Sequence, residues 1–163
     1  MNYKGPKFNL NELPFTVDLL STGGFIKVEY FKIHDGDTAV FKINKIRESV
    51  RLLVIDTPEL EPNPAPFGQE AKDYFEYVLT HAKEIYLESD IHSSFRDDTQ
   101  KRRILAWLWV DGELVNYNLV RMGYAEVKYI ESENLKYLSY LKEAEIEAKK
   151  ENLRIFNEED VCI

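Results

Sequence analysis

Apolar and polar positions alternate along several short stretches in the first half of the chain, which is typical of β-strands. Three strands are predicted in succession: residues 25–34, which are rich in β-branched and aromatic side chains, the alternating residues 37–43, and residues 50–55, which contain the apolar run 52–55. Asp35-Gly36 lies between the first two and predicts a tight turn, because glycine tolerates the positive φ that such turns need. The polar residues 44–49 are interpreted as a connection to the third strand. This pattern predicts a three-stranded meander.

The apolar positions change to helical spacing after a proline-rich loop at residues 61–66. We expect a helix that begins at Phe67 or Gly68, with one apolar side. The members of that side are Ala71, Phe75, Val78, Leu79 and Ala82. Strand-like alternation returns at residues 83–88, and the mostly apolar residues 103–110, which include Trp107 and Trp109, predict a fifth strand. The polar loop between them, residues 89–101, is expected to be exposed.

Two further helices are predicted near the C-terminus. A short helix over residues 114–120 is followed by Gly123, a typical helix stop. A longer helix is expected to begin at Ser132, and the apolar residues on one of its sides are Leu135, Leu138, Leu141, Ala144 and Ala148. Five short strands with a helix between the third and fourth are the layout of an OB-fold.

The sequence therefore predicts an α+β fold, in which a five-stranded OB-fold (Greek-key) β-barrel carries three helices. We expect one such domain over residues 25–163, preceded by an N-terminal arm at residues 1–24 with a short strand at 15–20. A length of 163 residues suits a single domain with one core.

Charge and cysteine content exclude some classes of function. The formal net charge is −8, which argues against binding long nucleic acid through bulk charge but leaves room for an anionic substrate at one metal-centred spot. Cys162 is the only cysteine, so a disulfide framework and a thiolate metal site are excluded. No apolar run is long enough to span a bilayer. We expect a monomer with no membrane partner, either intracellular or secreted with its leader removed, since no signal peptide precedes the arm.

Candidate chemistry is concentrated where the third strand ends. Asp56 and Glu59 follow the apolar run 52–55, and Asp37 begins the second strand. If the hairpin tip packs beside that strand end, Asp37, Asp56 and the backbone carbonyl of Thr57 form an all-oxygen site of the kind that Ca²⁺ prefers. The alternative is that these are ordinary surface charges at a turn and a strand end.

Arginines add a second element of this chemistry. Arg51 enters the third strand, and Arg102 and Arg103 precede the fifth. A guanidinium offers a planar fork of donors that meets two phosphate oxygens at once, which suits a phosphodiester. Strand alternation predicts that only one of the Arg102-Arg103 pair points into a given site.

Several motifs, in the same order along the chain, resemble the staphylococcal (micrococcal) nuclease family, also called thermonucleases. The resemblance extends over about residues 24–158. The motifs are Asp35-Gly36-Asp37-Thr38, Arg51 to Glu59 (RLLVIDTPE), Phe67 to Ala71 (FGQEA), Arg103 to Trp107 (RILAW), Asp111-Gly112, Leu119 to Ala125 (LVRMGYA) and Ala148 to Phe156 (AKKENLRIF).

The resemblance implies an OB-fold enzyme that cleaves DNA and RNA with Ca²⁺. In that case Asp37 and Asp56 are the carboxylate ligands of the calcium ion, and Thr57 contributes its backbone carbonyl. Arg51 and Arg103 hold the scissile phosphate and stabilise its growing charge.

Two more residues receive roles from the same resemblance. Glu59 matches the acidic residue that positions or deprotonates the attacking water. Tyr129 matches a tyrosine beside the bound nucleotide, and a half-buried core aromatic is an equally open interpretation of it.

The chain departs from the family pattern at two loops. Gln100-Lys101-Arg102 stands where the family commonly has Tyr-Gly, and the loop after Glu59 has no lysine before residue 72. Both changes suggest a weaker hold on long polynucleotide. The leading hypothesis is a Ca²⁺-dependent nuclease acting on DNA, RNA or both. The alternative is a non-catalytic OB-fold module that binds nucleic acid or protein.

Overall fold

A computed structural model describes residues 2–8 and 23–157, and structural statements refer to those residues. The strands are β1 Phe25–Asp35, β2 Thr38–Ile43, β3 Ile46–Leu52, β4 Ile55–Asp56, β5 Ile85–Glu88, β6 Ile104–Val110, β7 Glu113–Leu114 and β8 Glu126–Val127. The helices are α1 Gly68–Thr80, α2 Val115–Arg121 and α3 Leu138–Lys150, followed by a 3-10 turn at Arg154–Phe156.

The main sheet closes on itself. Its order is β3-β2-β1-β5-β6-β7, and β3 also pairs with β6 in parallel. Five strands thus form a closed barrel, while β4 and β8 pair separately as a two-stranded ribbon. Together with three helices, this confirms the predicted α+β OB-fold.

The core fills the barrel and the space under the helices. Trp107, Trp109 and Phe41 are among the largest fully buried side chains. Helix α1 buries Ala71, Phe75 and Leu79 against this core as predicted, whereas Val78 is only partly buried and Ala82 lies beyond the end of the helix at Thr80. The predicted apolar side of the last helix is also buried throughout: Leu135, Leu138, Leu141, Ala144 and Ala148.

The third strand differs from its prediction at both ends. Residues 44–49 are no polar connection, because Asn44 and Lys45 alone make the turn, with φ of 50° and 71°, and β3 begins at Ile46. The strand also ends at Leu52 and does not continue to residue 55. Val54 has a φ of 67°, which interrupts the extended backbone within the apolar run 52–55. All four residues of that run are nevertheless buried.

Contacts from neighbouring elements hold this break in place. The Leu53 amide donates to Ala106 O at 3.0 Å, and the Lys128 amide donates to Val54 O at 2.9 Å. The Asn116 side chain donates to Leu53 O at 3.0 Å. The apolar run 52–55 correctly predicted burial, but the prediction that it forms one continuous strand was wrong.

Two other predictions need correction. Helix α3 begins at Leu138, because the Ser132 hydroxyl accepts a bond from the Asn134 amide (3.1 Å), a local turn that competes with helix. The polar loop 89–101 is not exposed throughout. Asp90 is buried, and it accepts bonds from the Trp107 indole at 3.0 Å and the Lys136 amide at 2.7 Å.

The N-terminal residues that the structure describes contact the barrel. The Tyr3 hydroxyl accepts a bond from the Leu114 amide at 3.1 Å, and the Phe8 ring lies 5.3 Å from the Trp109 ring. The strand predicted at residues 15–20 lies outside the described residues, and the division between arm and domain at residue 24 stays a prediction. None of the helices in the described ranges has the length and apolar character needed to cross a bilayer.

Candidate active site

All seven residues that the sequence singled out line one cleft of about 1170 Å³. They are Asp37, Arg51, Asp56, Thr57, Glu59, Arg103 and Tyr129. The β1–β2 turn and the ends of β3 and β4 form its floor, and the loop before β6 and the segment after β8 form its walls. The barrel therefore brings together positions that lie far apart along the chain.

Asp37 ties the hairpin tip to the end of β4. Its buried carboxylate accepts bonds from the Thr57 amide at 3.0 Å and the Thr57 hydroxyl at 3.1 Å. Gly36 makes this approach possible, since a Cβ there would lie 2.8 Å from both the Ala71 Cβ and the Thr57 Oγ1. The tight Asp-Gly turn is thus required for the site as well as for the hairpin.

Arg51 joins the two predicted carboxylate ligands. Its Nη2 lies 3.3 Å from Asp37 Oδ2 and 3.4 Å from Asp56 Oδ1, and its Nη1 donates to Leu52 O at 2.8 Å. The register explains this placement, because Arg51 stands opposite Thr38, the neighbour of Asp37. The two carboxylates therefore converge on one point of the cleft floor.

The floor carries more negative charge than Arg51 compensates. Burial, and then the Asp37 carboxylate, raises the pKa of Asp56, while Arg51 and Lys128 act in the opposite direction. Burial and the same Asp37 carboxylate raise the pKa of Asp35 to about 7. The sequence predicted Asp35 as an ordinary turn residue, yet it lines the cleft and accepts a bond from the Asp37 amide at 3.1 Å.

The donor set suits a hard divalent cation. Asp37, Asp56 and the Thr57 carbonyl supply only oxygen, and a cation between the carboxylates would relieve the repulsion that, after burial, raises the pKa of Asp56. Within residues 2–8 and 23–157, no group of three or more His, Cys, Asp or Glu side chains is arranged to hold a metal. The protein therefore offers two carboxylates, and the remaining ligands would be backbone and water.

Arg103 faces the same floor from the opposite wall. Its Nη1 lies 3.4 Å from Thr38 Oγ1, while its Nε donates to Asp97 Oδ2 at 2.7 Å. Burial alone would raise the pKa of Asp97, but hydrogen bonds from Thr99 and Arg103 outweigh it and lower that pKa. Arg102 also lines the cleft, contrary to the alternation argument, because it precedes β6 and has a φ of 48°.

The rim holds the last two predicted residues. Glu59 is exposed, and its backbone carbonyl accepts the Ala65 amide at 2.8 Å, which closes the proline-rich loop beneath it. Tyr129 is 64% exposed, so it is not a half-buried core aromatic. Its ring lies 5.7 Å from the Arg51 guanidinium and 5.3 Å from the Lys128 ammonium.

Two residues that line the cleft, Asp97 and Glu131, and one beside it, Lys128, carry no distinctive sequence signal. Asp97 orients Arg103, and Lys128 lies 3.6 Å from Asp56. Glu131 accepts bonds from the Ser94 amide at 3.0 Å and the Ser94 hydroxyl at 2.5 Å, so it ties the two walls together. Acidic and basic residues in polar loops are common, and only the tertiary contacts distinguish these three.

Several cations lie close enough to His34, near the cleft, to affect its pKa. Burial lowers the pKa of His34, and Lys32, Lys101 and Arg103 lower it further. Lys32 belongs to β1, Lys101 to the loop between β5 and β6, and Arg103 immediately precedes β6. Of these cations, Lys101 and Arg103 line the cleft, and Lys32 lies outside the residues that line it.

Comparison with known proteins places these features in a family. The family model described as Staphylococcal nuclease homologue matches residues 49–158. The SPbeta prophage-derived endonuclease YokF of Bacillus subtilis (strain 168) is 36% identical over 126 residues, 76% of this chain and 41% of that protein. Endonuclease YncB of the same organism is 33% identical over 126 residues, again 76% of this chain and 58% of that protein.

A staphylococcal relative matches over more of its length. The thermonuclease of Staphylococcus hyicus is 31% identical over 140 residues, which cover 84% of this chain and 79% of that protein. The match to the two Bacillus proteins spans less than two thirds of their length. With the closed barrel and the cleft already described, these matches show that the chain belongs to the staphylococcal nuclease homologue family.

Proposed function

We propose that the protein is a Ca²⁺-dependent nuclease that hydrolyses phosphodiester bonds of DNA, RNA or both. The observation that carries this proposal is the convergence on the cleft floor. Two acidic side chains reach one nitrogen of Arg51, within 3.4 Å, and Arg103 faces them from the other wall. The endonuclease and thermonuclease relatives support the same reaction class.

Asp37, Asp56 and the Thr57 carbonyl would hold the cation. Bound Ca²⁺ supplies Lewis-acid polarisation of a phosphoryl oxygen. Asp37 has a second part in the site, because its bonds to Thr57 keep that residue against the hairpin tip. The buried position of Asp37 makes the geometry of this floor rigid.

The two arginines act on the phosphate. Arg51 and Arg103 present fixed positive charge to the phosphate oxygens. These oxygens carry more negative charge in the pentacoordinate transition state than in the ground state. Arg51 is held by Leu52 O and Arg103 by Asp97, so neither guanidinium has to reorganise as the reaction proceeds. Removing one preorganised donor of this kind typically costs about 10²–10³ in rate.

Glu59 and Tyr129 complete the assignment. Glu59 is exposed on the rim, where its carboxylate can accept a proton from water or orient that water. Tyr129 presents an open ring beside Arg51, which suits stacking on a base next to the scissile phosphate.

Cleavage of single-stranded DNA and RNA with Ca²⁺ or with chelator tests the proposal. We expect cleavage with Ca²⁺ only. Glu59→Gln should lower the rate by about 10²–10⁴ and Arg103→Ala by about 10²–10³. Matched controls are Glu61→Gln in the neighbouring loop and Arg121→Ala, whose guanidinium pairs with Glu151 away from the cleft.

The outcomes separate the proposal from the binding-module alternative. Equal cleavage by the wild type and both variants would trace the activity to a contaminating nuclease and contradict the proposal. Binding of the oligonucleotide without any Ca²⁺-dependent cleavage would favour the non-catalytic OB-fold module.

A further inference from the structure

The outer face of the β1–β2–β3 meander is positive although the protein is acidic. Residues 25–51 contain six Lys or Arg and four Asp or Glu, against a net charge of −8 for the whole chain. Two of those acids, Asp35 and Asp37, belong to the cleft, and a third, Glu48, pairs with Arg96 at 2.8 Å. Of the six cations, Arg51 pairs with Asp37 in the cleft and Lys27 lies 3.9 Å from Glu84, which leaves Lys32, Lys42, Lys45 and Arg47 against Glu29.

The strand register connects this face to the cleft. Arg51 stands opposite Thr38 beside the cleft, and Arg47 stands opposite Lys42 at the other end of the same pair of strands. Alternate residues of a strand share one face, so Arg51 and Arg47 project to the same side of β3. Four residues of strand span about 13 Å. Lys32 lies between these two ends, opposite Val40.

An exposed aromatic ring occupies the far end of this face. The Phe31 side chain is 38% exposed, and its ring centroid lies 4.0 Å from the Arg47 guanidinium carbon and 5.4 Å from the Lys42 Nζ. Proteins that bind single-stranded nucleic acid combine such rings, on which bases stack, with cations that follow the backbone. OB-folds commonly use the face of strands 2 and 3 for this purpose.

We propose that Phe31, Lys32, Lys42 and Arg47, here called the meander track, bind the part of a single-stranded substrate that continues out of the cleft. The cations contact successive phosphates, and a base stacks on Phe31. Glu29, opposite Lys42 on β1, limits the track at its far end. The inference rests on the proposed function only for the identity of the polymer. The meander track would also compensate for the tyrosine absent before Arg103 and for the lysines absent from the loop after Glu59.

Fluorescence anisotropy with a labelled oligodeoxythymidylate of roughly 12 nucleotides, in chelator, tests the track. The test protein carries Lys42→Ala with Arg47→Ala. The matched control carries Lys142→Ala with Lys150→Ala, which removes the same charge from exposed positions of α3. We expect the dissociation constant to rise roughly tenfold in the track variant only, and the slope of log K against log salt to fall by about 1.4.

A second variant tests stacking separately from charge. Phe31→Leu keeps an apolar side chain but removes the ring, and we expect about fivefold weaker binding with an unchanged salt slope. Unaltered melting temperatures would show that both variants fold. Equal losses in the track and control variants, an unchanged salt slope in the track variant, or no binding by the wild type would overturn the inference.

These results are independent of catalysis because the chelator prevents any Ca²⁺-dependent cleavage. If the cleavage test fails and the track variant still loses affinity, the inference stands and the polymer is bound without being cut. If cleavage succeeds and the track variant binds like its control, only the track is overturned.

Discussion

Asp97 holds Arg103 by two bonds at once. Its Oδ2 accepts the Arg103 Nε at 2.7 Å, and its Oδ1 accepts the Arg103 amide at 3.1 Å. The Nη atoms of Arg103 are left to face the cleft, where Nη1 lies 3.4 Å from Thr38 Oγ1. We therefore interpret Asp97 as a positioning residue for the second arginine.

Replacing Asp97 by Asn should lower kcat by roughly ten- to hundredfold and leave KM nearly unchanged. The reason is that the amide keeps the shape of the side chain but loses one charged acceptor, so Arg103 is held less firmly. Steady-state kinetics check this split, with Asp98→Asn as the matched control on the exposed rim. A rise in KM alone would contradict the positioning role.

Arg51→Lys should lose nearly as much activity as Arg51→Ala, about 10²–10³. Lysine keeps the charge but cannot reach Asp37, Asp56 and Leu52 O together, since it lacks the planar fork. The rate of oligonucleotide cleavage at saturating Ca²⁺ is the measurement. Arg121→Lys, a surface pair with Glu151, serves as the control. Near-wild-type activity in Arg51→Lys would show that charge alone is sufficient.

Asp37→Asn should weaken Ca²⁺ binding, and Asp98→Asn should not. Asp37 is one of two carboxylates at the proposed cation site, so neutralising it removes half of the side-chain charge there. Titration calorimetry measures the dissociation constant. The melting temperature gives a second readout, because saturation at 100 times the dissociation constant stabilises the fold by about 2.7 kcal/mol. An unchanged Ca²⁺ dissociation constant in Asp37→Asn would show that Asp37 is not a ligand of the cation.

Glu88 should make the fold less stable as the pH rises through the acidic range. Its carboxylate is fully buried, and burial raises its pKa although Lys136, Trp109 and Tyr137 oppose that shift. The folded state therefore binds this proton more tightly than the unfolded chain. The contribution of Glu88 is most favourable below its ordinary pKa of 4.5 and declines as the pH passes the raised value.

Urea unfolding at several acidic to neutral pH values measures this effect. Glu88→Gln should remove the decline attributable to residue 88, and Glu84→Gln at the exposed start of the same segment is the control. Identical pH profiles for the wild type and Glu88→Gln would show that the carboxylate titrates alike in both states.

Local patterns were sufficient for most of the barrel. The alternation around Phe41 and the helical spacing of Ala71 and Phe75 predict burial on one side of an element, the apolar stretch around Trp107 predicts a buried strand, and these residues are buried. Those patterns could not show that Val54 adopts a positive φ and that β3 ends at Leu52. The break depends on hydrogen bonds to Leu53 and Val54 from distant residues, and no periodicity records them.

By itself the sequence determined which candidate groups the site could contain: carboxylates, arginines and an aromatic whose exposure it left open. Only the tertiary structure decided which of these groups meet. Asp37 contacts Thr57 across twenty residues, and Arg103 contacts Thr38 across sixty-five. Asp97 and Glu131 entered the site in the same way. Burial follows from local hydrophobicity, whereas the partners of a polar side chain depend on which strands the closed barrel brings together.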